Sequence, residues 1–262
     1  MLGFLKVLQP TTLAETYDLA VKNKMAPLLA GACWTRLGRR TWPMIIDLSQ
    51  LNLRYVREET YEFVIGAMAT QGDVEHFEPL QEFCKGILPK AVHEILGVQF
   101  RNLATMGGSV AAKFGFSDII PALLALHAEV VTFHGGRMSI ASYMTYKERD
   151  ILVEICIPKV EVPVAIEALR MSRGDFPYLT GSIRKEGSTY EVYIGTRPGV
   201  PVLAPEASAV LSEKGLEGAK EAGKIAATEL VYQSNSHGSK EYRQAMVKSM
   251  VVRLAEEVES WK

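Results

Sequence analysis

Apolar positions divide this chain into stretches of two different periods. Leu13, Tyr17 and Ala20 share one face of a helical turn. Thr12-Leu13-Ala14-Glu15 opens that stretch as a capping box, in which a hydroxyl and a carboxylate each take up a free backbone N–H. A helix running to about Asn23 is predicted. Leu28-Leu29-Ala30 reads as a short buried strand running into Gly31, with further strands at 44–47 and 63–66. Helical stretches are predicted over 72–86 and 88–96. Between Arg101 and Asp118 the glycines at 107, 108 and 115 leave little periodicity. An apolar helix at about 119–126, a strand at 129–133 and an alternating strand at 151–157 follow, the last stopped by Pro158.

The short stretch 159–163 has proline on both sides, Pro158 and Pro163, and a domain boundary is placed there. Beyond it Tyr190, Val192 and Ile194 alternate with Glu191 and Tyr193, the pattern of a half-buried strand ending at Gly195. Tyr242, Met246, Met250, Leu254 and Val258 recur every four residues and predict a final helix packed through that face. Helices and strands mix without regular βα alternation, which argues an α+β fold over a doubly wound sheet. No repeat or low-complexity tract interrupts the pattern.

A length of 262 residues allows one or two domains. Twenty-nine Lys and Arg stand against 30 Asp and Glu, a net charge of −1. That balance offers no electrostatic footprint for nucleic acid or an anionic membrane. The longest apolar stretches, 25–34 and 119–126, fall far short of the roughly 20 residues a membrane helix needs. The start MLGFLKVLQP has no cleavage pattern, so cytoplasmic residence is expected. Cys33, Cys84 and Cys156 form no CxxC, which excludes a disulfide framework or a thiolate cage. The histidines show no HExxH or paired spacing. No metal site is expected, and no constellation of side chains for acid–base or nucleophilic catalysis can be assembled.

Three segments could still carry chemistry. In LLAGACWT, residues 28–35, a strand runs into a turn of small residues, where Gly31 permits unusual backbone angles and Ala32 and Cys33 let a ligand near the main chain. Such a turn is either an anion-binding nest of backbone N–H groups or a plain strand-to-loop connection. In RNLATMGGS, residues 101–109, Gly107 and Gly108 beside Thr105 and Ser109 suit close contact with a phosphate, or else a β-bulge or tight turn. The segment is neither a Walker A loop nor GxGxxG. Ser117-Asp118 either caps the apolar helix or bonds a ribose or ribityl hydroxyl. Taken alone, these residues imply a site that holds an anionic group through the backbone.

Together, and in this order, the segments resemble the FAD-binding (medium) subunit of the molybdenum hydroxylases, the xanthine dehydrogenase and carbon monoxide dehydrogenase family. The family's AGGT-like turn, RNxATIGGN, SDxxPxLLAL and closing strand ending in IP correspond here to Ala30-Gly31-Ala32-Cys33, RNLATMGGS, SDIIPALLAL and ILVEICIP. Ser239-Lys240-Glu241-Tyr242-Arg243 is similar to the SxxYR start of its final helix. The resemblance implies a two-part FAD-binding domain over 1–160, with an N-terminal α/β subdomain at about 1–53 and an α+β portion at 54–160. A small α+β C-terminal domain over 161–262 would complete the chain.

The resemblance also implies a set of contacts. Residues 28–35 (Leu28, Leu29, Ala30, Gly31, Ala32, Cys33, Trp34 and Thr35) and Thr105, Gly107, Gly108 and Ser109 would hold the FAD pyrophosphate from opposite sides. Asp118 would contact FAD, Leu152 would lie beside the flavin, and Arg170 would lie near the isoalloxazine. The FAD would be non-covalent, since no His or Cys sits in a flavinylation motif. Such a subunit takes electrons from a 2Fe-2S small subunit, fed by a molybdopterin-binding large subunit, and passes them to NAD. A non-catalytic assembly subunit that has lost FAD, or a stand-alone flavin reductase, are the alternatives. The first loop departs from the pattern at Ala32, Cys33 and Trp34. Ala is disfavoured at positive φ, and Trp34 would either stack on the cofactor or fill a cavity.

Overall fold

The strand-period segments up to Pro158 form two separate sheets. The computed structural model describes residues 3–261, and the chain forms two compact units. The first comprises the chain through Phe77 with Gly97–Ala112 and Ala128–Pro158; the second comprises Glu78–Leu96, Lys113–His127 and the chain from Lys159 onward.

In the first unit β1 (Gly3–Leu8), β2 (Leu28–Leu29) and β3 (Thr41–Asp47) form a parallel sheet in the order β1-β3-β2. Parallel pairing needs a crossover, and the helix Leu13–Lys22 supplies it between β1 and β2. Its cap is formed as the sequence predicts on one side only. Thr12 Oγ1 accepts the Glu15 N–H, while the Glu15 carboxylate accepts the N–H of Thr11. The central position of β3 buries Ile45 and Ile46.

A second sheet contains β4 (Val56–Glu58), β5 (Glu62–Gly66), β6 (Glu129–Thr132), β7 (Gly136–Ser139) and β8 (Leu152–Pro158). It is antiparallel, in the order β4-β5-β8-β6-β7. Phe63, Ile65, Val130, Ile155 and Ile157 share its buried face, as a period of two requires. The opposite face carries Glu62 and Glu129 around Arg137.

The second unit is built on β9 (Val164–Leu169), β10 (Leu179–Glu186), β11 (Thr189–Gly195) and β12 (Val202–Leu203), antiparallel in the order β12-β11-β10-β9. Helices Pro205–Lys214, Ala219–Glu229 and Lys240–Glu259 bury one face of the sheet around Ile183, Val192 and Met250. A Cβ at Gly181 would stand 2.7 Å from Met250 Sδ, so glycine lets the last helix approach β10. The apolar helix Ile119–Ala125 lies on the other face. There Ser182 Oγ donates to Pro121 O at 2.8 Å, and Arg184 Nη1 donates to Ala125 O at 3.1 Å. Covered on both sides, β10 is buried over six consecutive residues.

Four sequence expectations need correction. The stretch 72–86 is not one helix but Gln71–Glu75 and Glu78–Glu82 followed by a 3-10 turn, in which Cys84, Lys85 and Gly86 all take left-handed angles. The strand expected at 28–30 stops at Leu29. The segment 101–118 is not irregular throughout, because Met106–Ala111 is a helix. In the last helix the buried face is Arg243, Val247, Met250, Val251, Leu254, Ala255 and Val258, while Tyr242 is exposed. A strict four-residue recurrence drifts about 40° per step on a 3.6-residue helix, so Tyr242 has rotated out by the time Val258 faces in.

Candidate cofactor-binding site

The first glycine-bearing turn begins where β2 leaves its ladder with β3. Gly31 has no positive φ; its requirement is space. A Cβ there would lie 1.8 Å from Leu103 O and 3.3 Å from Ala104 Cα, so only glycine lets this turn meet the backbone just ahead of Thr105. The left-handed residue is Ala32, at φ 56. Alanine accepts the conformation at a cost. A left-handed residue inside a turn points successive N–H groups to one side. The N–H groups of Gly31 and Ala32 have no acceptor among the described residues, and the Cys33 N–H lies against its own thiol. Ala30, Gly31 and Ala32 are half-buried, whereas Cys33 is buried with its Sγ against Gly31 O at 3.5 Å. Burial pushes that thiol up from its ordinary value. Trp34 is 46% exposed and fills no cavity.

The second segment is a helix N-terminus rather than a bulge or tight turn. Thr105 is the N-cap of Met106–Ala111, and its Oγ1 accepts the Gly108 N–H at 3.1 Å. Gly107 is held from behind, its N–H on Ala67 O at 3.0 Å. A Cβ on it would stand 2.6 Å from both Ala67 O and Ala67 Cβ. Gly108 is exposed, and an added Cβ would meet only Thr105 Oγ1, at 2.8 Å. Neither glycine has a positive φ. The two glycines therefore differ in kind: Gly107 makes room for the protein, and Gly108 leaves the outer surface of the turn clear.

Gly31 against Leu103 and Ala104 places the two segments side by side in one unit, a juxtaposition that spacing alone did not reveal. Free backbone donors, a surface cleared by glycine and the hydroxyls of Thr105 and Ser109 make a donor set suited to a pyrophosphate. Leu152 belongs to the same unit, buried at the start of β8. Asp118 and Arg170 belong to the second unit, where Arg170 Nη2 meets Asp118 Oδ1 at 2.5 Å. Arg170 also donates to Glu94 O at 3.1 Å and Asp175 O at 3.2 Å. Burial raises the Asp118 carboxyl to about 6, against the pull of the Arg170 guanidinium. Asp118 makes no side-chain cap; Ser117 Oγ accepts the Ile120 N–H instead, at 3.1 Å. Among the described residues no three His, Cys, Asp or Glu cluster as metal ligands would. No helix among them is long and apolar enough to cross a membrane.

Comparison with known proteins identifies the family. Residues 3–164 match the family model of the FAD binding domain in molybdopterin dehydrogenase, and residues 165–258 match that of the CO dehydrogenase flavoprotein C-terminal domain. The carbon monoxide dehydrogenase medium chain of Hydrogenophaga pseudoflava is 30% identical over 159 residues, 55% of each chain. An uncharacterized protein of Escherichia coli, YgfM, is 30% identical over 142 residues, and the match spans 52% of its length. The nicotine 6-hydroxylase medium subunit of Paenarthrobacter nicotinovorans is 25% identical over 267 residues, 93% of each chain. The fold is that of carbon monoxide dehydrogenase from Hydrogenophaga pseudoflava, with a TM-score of 0.89 at 24% identity over 99% of both chains. With the two family models together covering residues 3–258, this chain belongs to the molybdenum hydroxylase family as its FAD-binding medium subunit.

Proposed function

We propose that this chain is the flavin-bearing electron-transfer subunit of a xanthine dehydrogenase-like complex resident in the cytoplasm. It receives electrons from a 2Fe-2S small subunit, itself supplied by a molybdopterin-binding large subunit, and gives them to NAD. FAD supplies the redox chemistry, and the protein supplies binding, orientation and exclusion of water. On this reading Gly31 and Ala32 offer N–H donors to one side of the pyrophosphate, with Cys33 closing the turn behind them. Thr105, Gly108 and Ser109 meet its other side, and Gly107 keeps that helix seated on Ala67. Leu28, Leu29, Ala30, Trp34 and Thr35 complete the first wall. Leu152, in the same unit as both loops, would face the ring portion.

The observation that carries the reading is Ala32 at φ 56. The loop keeps a left-handed turn although alanine stands where the family pattern has the glycine that makes such a turn easy, and the Gly31 and Ala32 N–H groups have no acceptor among the described residues. That argues against an assembly subunit whose altered loop has abandoned FAD. Purified chain should show a flavin spectrum, and acid precipitation should release the flavin as FAD. Flavin remaining on the precipitated protein, release of FMN, or failure of the apo-chain to take up added FAD would overturn the reading.

A further inference from the structure

Gln71 stands behind the glycine-bearing helix and belongs to none of the motifs above. It is 3% exposed, and its backbone N–H donates to Ala104 O at 2.8 Å. Its Nε2 donates to Ser109 Oγ at 3.1 Å. Ser109 Oγ in turn donates its single proton to Thr105 O at 2.8 Å. Gln71 Oε1 is buried without a hydrogen-bond partner among the described residues. A buried amide ordinarily satisfies both ends; here the orientation of the amide is governed by Ser109 alone.

We infer that Gln71 is a positioning residue for the FAD pyrophosphate, acting through the Ser109 hydroxyl. The inference rests on the proposal that this cradle holds FAD. A serine hydroxyl has one proton and room for two acceptor bonds. With the Gln71 amide occupying an acceptor side, the proton stays available for donation and can turn from Thr105 O to a phosphate placed outside. Thr105 O can release it, because that carbonyl also accepts the Ser109 backbone N–H at 3.0 Å. The resulting chain runs from Gln71 N–H to Ser109 oxygen, and from Ser109 O–H to phosphate oxygen. A donor that itself accepts a hydrogen bond is polarised and donates more strongly. An ionised carboxylate at position 71 reverses every step: it can only accept, so it draws the Ser109 proton inward and sets a negative charge behind an anion site.

The test compares FAD dissociation constants of the full-length apo-chain, read by flavin fluorescence quenching, with circular dichroism as the folding control. Gln71→Met should weaken binding about three- to tenfold, the range of one net hydrogen bond. Gln71→Glu should weaken it about tenfold or more at pH 7.5, with the loss shrinking as pH falls and the carboxyl regains a proton to donate. Gln71→Met should add nothing in a Ser109→Ala background. A pH-independent Gln71→Glu that matches Gln71→Met, or a Gln71→Met effect undiminished without the Ser109 hydroxyl, would overturn the inference. Normal FAD affinity in folded Ser109→Ala would overturn it while leaving the cradle standing. Absence of FAD uptake by the wild-type chain would bring down the cradle and the inference together.

Discussion

At the scale of single residues, the departures of the first loop from its family pattern sort by what each atom touches. Gly31 cannot carry a Cβ, because the Leu103 carbonyl occupies that place. Ala32 can, but only at a left-handed φ of 56. A left-handed residue with a Cβ costs about 1–2 kcal/mol, and glycine returns about 0.5–1 kcal/mol of that through its larger unfolded freedom. Ala32→Gly should therefore raise unfolding stability by about 0.5–1 kcal/mol in urea titrations, with FAD affinity unchanged or tighter. A destabilised Ala32→Gly would mean that the Ala32 methyl packs usefully enough to offset its strain. Trp34 shows the limit of residue-level reasoning: a bulky aromatic in a small-residue turn suggests a filled cavity, yet nearly half of its surface stays open.

Elements were legible where period and chemistry agreed. The helix after Thr12, strands β5, β6 and β8, the apolar helix at 119–125 and the strand Thr189–Gly195 follow from alternation or a run of apolar residues. What stayed hidden was set by contacts distant in sequence. Nothing near Arg243 announces that it will be fully buried, donating to Tyr178 O, Thr196 O and Asn235 Oδ1 in place of a carboxylate. Likewise two adjacent glycines read as a flexible turn, whereas Thr105 caps them into a helix braced on Ala67. The bracing separates their roles. Gly107→Ala forces a Cβ to within 2.6 Å of Ala67 O and should lower unfolding stability by about 1–3 kcal/mol, the usual cost of overpacking. Gly108→Ala meets only a hydroxyl, should fold with near-normal stability since alanine favours a helix, and should lose FAD affinity. Equal destabilisation of both would remove the distinction between the two glycines, and retained FAD affinity in Gly108→Ala would show that the outer surface of this turn is not where the phosphates lie.

At the scale of the whole molecule, the two family matches meet at residues 164 and 165, whereas the compact units interleave along the chain. Residues 78–96 and 113–127 fall within the matched FAD-binding region yet fold with the C-terminal sheet. Asp118 is thus carried by an element whose packing depends on β10, through Ser182 and Arg184. The donor set decides what such a molecule can do alone. A 2Fe-2S or 4Fe-4S cluster takes four thiolates, and the three cysteines are each buried, with burial holding the Cys84 and Cys156 thiols at about 11. On the proposed reading these core thiols supply no cluster, so substrate electrons would reach the flavin through a partner and the flavin would exchange a hydride with a nicotinamide. The chain loaded with FAD and kept anaerobic should therefore bleach on addition of NADH and stay oxidised with purines or aldehydes. Adding the molybdopterin and iron–sulfur partners should confer bleaching by the substrate of the complex. Bleaching by a purine or aldehyde without partners would refute the division of labour, and NADH that leaves the flavin oxidised would replace NAD with another acceptor.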